Sequence, residues 1–207
     1  MSKLELFRSS VRGLIASLLV PVALGFAHGQ TTYPEQKAEV HDLPALTANS
    51  TQASDVLRTS LQTVLHNDEV CCGKDSAFSD ALERVDPDSL KDIAAKLEGN
   101  HLLSDGRTVT ITTEYLKPNE VTAGHLVAMI QNQHPALMMW NSHLYVVCGV
   151  TYLVEADNDY AELAYTTHKF LLRDVRYSDS RREVVFDRVT EDASQVQGLL
   201  FLEWKMQ

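Results

Sequence analysis

Apolar residues recur at helical spacing through the first two thirds of the chain and at strand spacing after Pro135, so the pattern predicts helices followed by a sheet. Between Ala53 and His66, the positions Val56, Leu57, Leu61, Val64 and Leu65 share one helical face. Ala77, Phe78, Ala81, Leu82 and Val85 form a second stripe, on a helix over Lys74 to Val85 that follows directly on a cysteine pair. A third helix starts after Pro87, with Leu90, Ile93, Ala94 and Leu97 inward and Gly99 as its stop. Asn119 to Gln133 is the fourth, ending ahead of Pro135 because a residue preceding proline is pushed out of the helical region.

The strands have their own signals. Ser104-Asp105-Gly106 reads as a turn and Thr108 to Thr113 as a short β-branched strand. Ala136 to Trp140 is an apolar run, Asn141-Ser142 a tight turn, and His143 to Tyr152 a strand rich in Val and Tyr. Alternation puts His143, Tyr145 and Val147 on one face of that strand and Leu144, Val146 and Cys148 on the other. Further strands are expected at Ala164 to Asp174, Glu183 to Val189 and Leu199 to Lys205. The fold class that follows is α+β, helices first and an antiparallel sheet after.

Residues 1–29 read as an export signal. Lys3, Arg8 and Arg12 precede the apolar segment Gly13 to Ala27, and Ala27-His28-Gly29 offers small residues where a signal peptidase reads, so cleavage is expected before Gln30. Residues 30–54, rich in Thr, Ser, Ala, Gln and Pro, are expected to be a flexible linker, leaving 55–207 as the domain. The localisation expected is the periplasm or the exterior of the cell.

Composition narrows the function classes. With 44% apolar and 22% charged residues, nine Gly, six Pro and three Cys, the 207-residue chain is neither collagenous, coiled-coil, disordered nor a disulfide scaffold. Its net charge of −10 becomes −12 once residues 1–29 are removed. Such a chain is repelled by phosphate backbones and anionic lipid, which argues against nucleic-acid binding and against membrane association after signal removal. Adjacent Cys71-Cys72 lacks metal-ligand spacing, and His41, His101, His125, His134 and His168 show none either, so neither a metal nor another cofactor is expected.

Cys71-Cys72-Gly73-Lys74-Asp75-Ser76-Ala77 is the most informative stretch. A cysteine at a helix start meets unpaired N–H groups and the positive end of the dipole, which favour thiolate over thiol. Gly73 leaves room for a carbonyl to approach. The proton-handling partner expected is His143, held at the opening of a strand, with Asp174 at the end of the strand Lys169 to Arg173 to orient its ring. Three cysteines leave one odd thiol whichever pair forms; Cys71 with Cys148 is the pairing that frees Cys72, and the sequence does not fix it. The acidic, aromatic stretch Val154 to Tyr165 reads as a solvated hairpin tip, or as a rim selecting basic peptides.

Cys72-Gly73-x-x-Ser76 at a helix start, His143 ahead of Tyr-Val-Val-Cys-Gly, and Leu-Leu-Arg-Asp174 together resemble the papain-like cysteine peptidases, and within them the bacteriocin-leader (double-glycine) peptidases. The resemblance covers Leu61 to Arg176. It implies a helical lobe packed on an antiparallel sheet, a Cys72-His143-Asp174 site between them, a peptide or protein substrate and no cofactor. The family's oxyanion-stabilising glutamine has no counterpart, since His66, Asn67 and Asp68 occupy that neighbourhood; Asn67 or His66 is the substitute expected. The family's proline after the nucleophile is Lys74 here, and the long interval after His143 admits Asp157 or Asp159 as the orienting acid. A papain-like binding or structural module without catalysis is the other reading.

Overall fold

The computed structural model describes residues 34–65, 81–103, 105–156, 163–178, 183–188 and 190–207. Among them, three α-helices and eight strands form an α+β fold. In chain order they are β1 (Gln36–Glu39), α1 (Ala53–Leu65), α2 (Leu90–Leu97), β2 (Gly99–Leu102), β3 (Thr108–Leu116), α3 (Ala123–Gln131), β4 (Ala136–Trp140), β5 (His143–Ala156), β6 (Leu163–Arg173), β7 (Glu183–Asp187) and β8 (Val196–Met206).

Every strand pairing is antiparallel, and the order across the sheet is β2-β3-β8-β4-β5-β6-β7, with β1 added alongside β5. The last strand, β8, therefore runs through the middle, between β3 and β4. Helices cover both faces. Val56, Leu57, Leu61 and Leu65 of α1 and Leu90, Ile93 and Leu97 of α2 bury against Ile111, Leu137, Leu144, Val146 and Leu200. On the opposite face Leu126, Val127 and Ile130 of α3 bury against Met138, Trp140, Tyr145, Val147, Phe170 and Phe201. All five residues of β4 are buried, as an apolar run covered on both sides requires.

The helical periodicity of the sequence corresponds closely to α1 and α2. Ser89 caps α2, its hydroxyl accepting from the Asp92 N–H, and Gly99 follows at φ +117°, where a side chain is strained. Thr122 caps α3 in the same way, making it shorter than the expected Asn119 to Gln133. The helix expected over Lys74 to Val85 lies mostly outside the described residues.

Two departures from the expected layout share one cause. Residues expected to form a flexible linker contain β1, and the compact unit spans Thr31–Gln207. Strand β1 turns only Ala38 inward, followed by Val40, too short a pattern to register as periodicity. Gly149 makes room for it: a Cβ there would lie 2.9 Å from the Ala38 carbonyl oxygen and 2.8 Å from Leu171 Cδ1. Similarly β2, with His101 as its buried residue, pairs with β3 ahead of α3, so strands interleave with the helices rather than following them.

Candidate functional site

The turn between β4 and β5 is set by Asn141 (φ 51°) and Ser142 (φ 57°), two left-handed residues in succession that fold a tight hairpin matched to strand twist. It returns the chain so that His143 opens β5 opposite Trp140. His143 is exposed, and its ring has no hydrogen-bond partner among the described residues. It lines a cleft of about 70 Å³ together with Thr51 and Val56 near the start of α1, Asp88, Ser142 and Arg176.

Strand β6 is hydrogen-bonded to β5 in a register that sets Val146 opposite Arg173, and Asp174 follows directly. Asp174 is 2% exposed. Its carboxylate accepts from the Arg176 backbone N–H (3.0 Å) and Nε (2.8 Å) on Oδ1, and from Arg176 Nη2 on Oδ2. A turn just past β6 sets the pair: the Tyr177 N–H reaches the Asp174 carbonyl at 3.4 Å and the Asp174 side chain accepts from the N–H two residues on, which brings the Arg176 side chain back onto the carboxylate. Arg176 is itself confined. Its guanidinium lies 5.5 Å from the Tyr145 ring centroid and 5.8 Å from that of Tyr177, and Nη2 also reaches the Tyr145 hydroxyl at 3.4 Å. The hydrogen bonds to Asp174 raise the Arg176 pKa further, and burial pushes the Tyr145 phenol above its ordinary value against the opposing pull of the Arg176 charge.

Among the expected site residues, the structure thus describes His143 and Asp174, and it is Arg176 that lines the cleft with His143 while holding Asp174. Cys72, Cys71, His66, Asn67, Lys74, Asp157 and Asp159 lie outside the described residues. Cys148 has a free thiol that donates to the Leu171 carbonyl at 3.2 Å, so it is not bridged to Cys71 here. It sits where the β5–β6 register shifts, Val147 facing Leu172 and Gly149 facing Leu171, so the strict alternation expected for β5 holds to Val147 and then changes phase. Burial pushes its thiol pKa up to about 11, which leaves little thiolate near neutral pH.

Arg176 is the partner of Asp174 that the sequence pattern did not single out, although Asp174-Val175-Arg176 after an apolar strand was a usable signal. Among the described residues, no group of three or more His, Cys, Asp or Glu could hold a metal ion, and no helix is long and apolar enough to cross a membrane. No protein-family model matches the chain, and comparison with curated proteins returns no match.

Proposed function

We propose that the chain is an exported papain-like thiol hydrolase that cleaves a peptide or related amide through Cys72, His143 and Asp174. The observation that carries this reading is the pairing of β5 with β6, which makes the strand opened by His143 and the strand followed by Asp174 neighbours in one sheet. Buried and hydrogen-bonded, Asp174 has a fixed orientation, as a residue that steers an imidazole needs.

In the reaction His143 takes the proton from the Cys72 thiol, and the thiolate attacks the amide carbonyl carbon to form a C–S bond. The backbone N–H of Cys72, with Asn67 or His66, stabilises the oxyanion. On collapse the C–N bond breaks and His143 returns its proton to the leaving amine. Water, deprotonated by the same ring, then cleaves the thioester and regenerates the thiol; an amine in its stead gives transfer. The chemistry uses no cofactor. It also sets a condition on the chain. Helix α1, at 13 residues, is about 20 Å long, and the Leu65 carbonyl accepts from Trp204 Nε1 at the end remote from His143. Cys72 lies seven residues beyond Leu65, a maximal reach of about 24 Å, which exceeds the length of α1.

A second reading is favoured by one observation: Arg176 already occupies most of the Asp174 carboxylate, as in a purely structural ion pair. On that reading the chain is a non-catalytic papain-like exported module, consistent with Lys74 and the missing glutamine. Labelling separates the two. A broad cysteine-directed electrophile modifies Cys72 faster than a free thiol, and His143→Ala removes the advantage. The module predicts an ordinary thiol rate, unchanged by that substitution.

A further inference from the structure

Strand β8 enters the sheet with a bulge. Trp140 of β4 is registered opposite Val196 and Met139 opposite Gly198, so Gln197 is the extra residue. Strict alternation would send Val196 and Leu199 to opposite faces of the sheet, whereas the bulge lets both pack on the α3 face. There they line a cavity of about 50 Å³ with Val121, Phe170, Phe186 and Arg188. That space holds about four waters, or one short branched aliphatic group. It lies across the sheet from the cleft of His143, whose Val56 and Leu144 belong to the α1 face.

Among the described residues that line this cavity, Arg188 alone is charged. Its Nη1 donates to the hydroxyl of buried Thr167 at 2.6 Å, its backbone N–H donates to the His168 carbonyl at 2.9 Å, and its guanidinium lies 5.9 Å from the Phe170 ring centroid. All three partners are neutral. Nε and Nη2, the pair that grips a carboxylate side-on, have no partner among the described residues. Behind the cavity wall Trp140 packs edge-on against Phe186, ring centroids 5.0 Å apart, and its buried indole N–H has no partner among the described residues.

We propose that this cavity binds a short branched aliphatic carboxylate, with its alkyl group among Phe186, Val196 and Leu199 and its carboxylate on Arg188. A long acyl chain exceeds the space, and a neutral hydrocarbon leaves the cation without a counterion. In a chain of net charge −10, a guanidinium with no acidic partner among the described residues is what admits an anion. The site stands apart from the thiol chemistry. A free acid and the C-terminal leucine of a peptide share the chemistry it recognises, and the test separates them.

The test is an NMR titration of the isotope-labelled full chain with isovalerate, following backbone and indole N–H resonances. The chain has two tryptophans, so Trp204→Phe assigns the Trp140 indole. Isovalerate moves that resonance and the Phe186 and Leu199 amides together and saturably, with a dissociation constant on the order of 1 mM. Isoamyl alcohol keeps the alkyl group without the carboxylate and binds at least about tenfold more weakly, and Arg188→Met weakens isovalerate by a similar factor. Arg188→Lys, which keeps the charge without the planar fork, falls between. The proposal is overturned by no saturable shift at the cavity, by equal binding of the alcohol, or by unchanged affinity in folded Arg188→Met. The alcohol comparison needs no variant, so it decides the matter even where Arg188→Met does not fold. N-Acetyl-leucine binding at least as tightly as isovalerate supports a peptide C-terminus as the source, and weaker binding supports a free acid.

Discussion

At the N-terminal end of α1 a histidine, His143, shares a cleft with Arg176, the cation of a buried ion pair with Asp174; at its C-terminal end another histidine, His134, lies 3.9 Å from Glu203 in a groove with Leu65 and Trp204. The residue types are alike, but their surroundings differ. Glu203 is 58% exposed in its side chain and has water to compete with His134, whereas the Asp174 side chain is 3% exposed and receives its donors from a single confined arginine. A carboxylate in water tumbles among partners. One buried under a guanidinium keeps a single orientation, and orientation is what an imidazole needs in order to act as a base. Proximity of His to an acid is therefore a poor guide to chemistry; what fixes the acid is a better one.

The largest expected effect breaks the built end. Asp174→Ala strands the Arg176 charge and costs about 3 kcal/mol or more of stability, measured by denaturant unfolding. Next comes the thiol of Cys148, between the two ends on β5. Its pKa stands at 9.0 for a free thiol and about 11 in the fold, so the fold favours the protonated form. That contribution is complete below pH 9 and is lost as pH rises towards 11, on the order of 2 to 3 kcal/mol. Unfolding at pH 8 and pH 10.5 shows the loss in the parent and a smaller one in Cys148→Ala. At the other end, Trp204→Phe removes the bond to the Leu65 carbonyl and costs about 1 kcal/mol in the same assay. The smallest effect is Glu203→Gln, which changes stability by less than about 0.5 kcal/mol because the pair is exposed. Equal losses from Asp174→Ala and Glu203→Gln would erase the distinction between the ends.

Much of this contrast was legible in the chain, unevenly. Helices α1 and α2 were readable because Val56, Leu57, Leu61, Leu90, Ile93 and Leu97 bury against one sheet face and so repeat at 3.6. The β4–β5 hairpin was readable from an apolar run, Asn141-Ser142 and alternation, and it located His143 at a strand opening. Strands β1 and β2 were not, since each buries a single inward residue, Ala38 and His101, and owes its place to pairing with a distant strand. The phase change at Cys148 was hidden for the same reason: a bulge depends on the partner strand, not on the bulged one. Asp174 stood out as the polar residue following an apolar strand, but its ion-pair partner did not, because a guanidinium two positions on looks like ordinary surface until burial closes around it.

Thiol hydrolysis requires a sulfur and an imidazole to meet, and a short bifunctional reagent measures that directly. A bis-electrophilic haloketone such as 1,3-dibromoacetone reacts first with the more nucleophilic thiol and then bridges to a ring nitrogen only a few ångströms away. Digestion and mass spectrometry of the treated full chain should return a peptide containing Cys72 joined to one containing His143. A bridge from Cys72 to His134, at the other end of α1, or Cys72 alkylated without any bridge, contradicts the account.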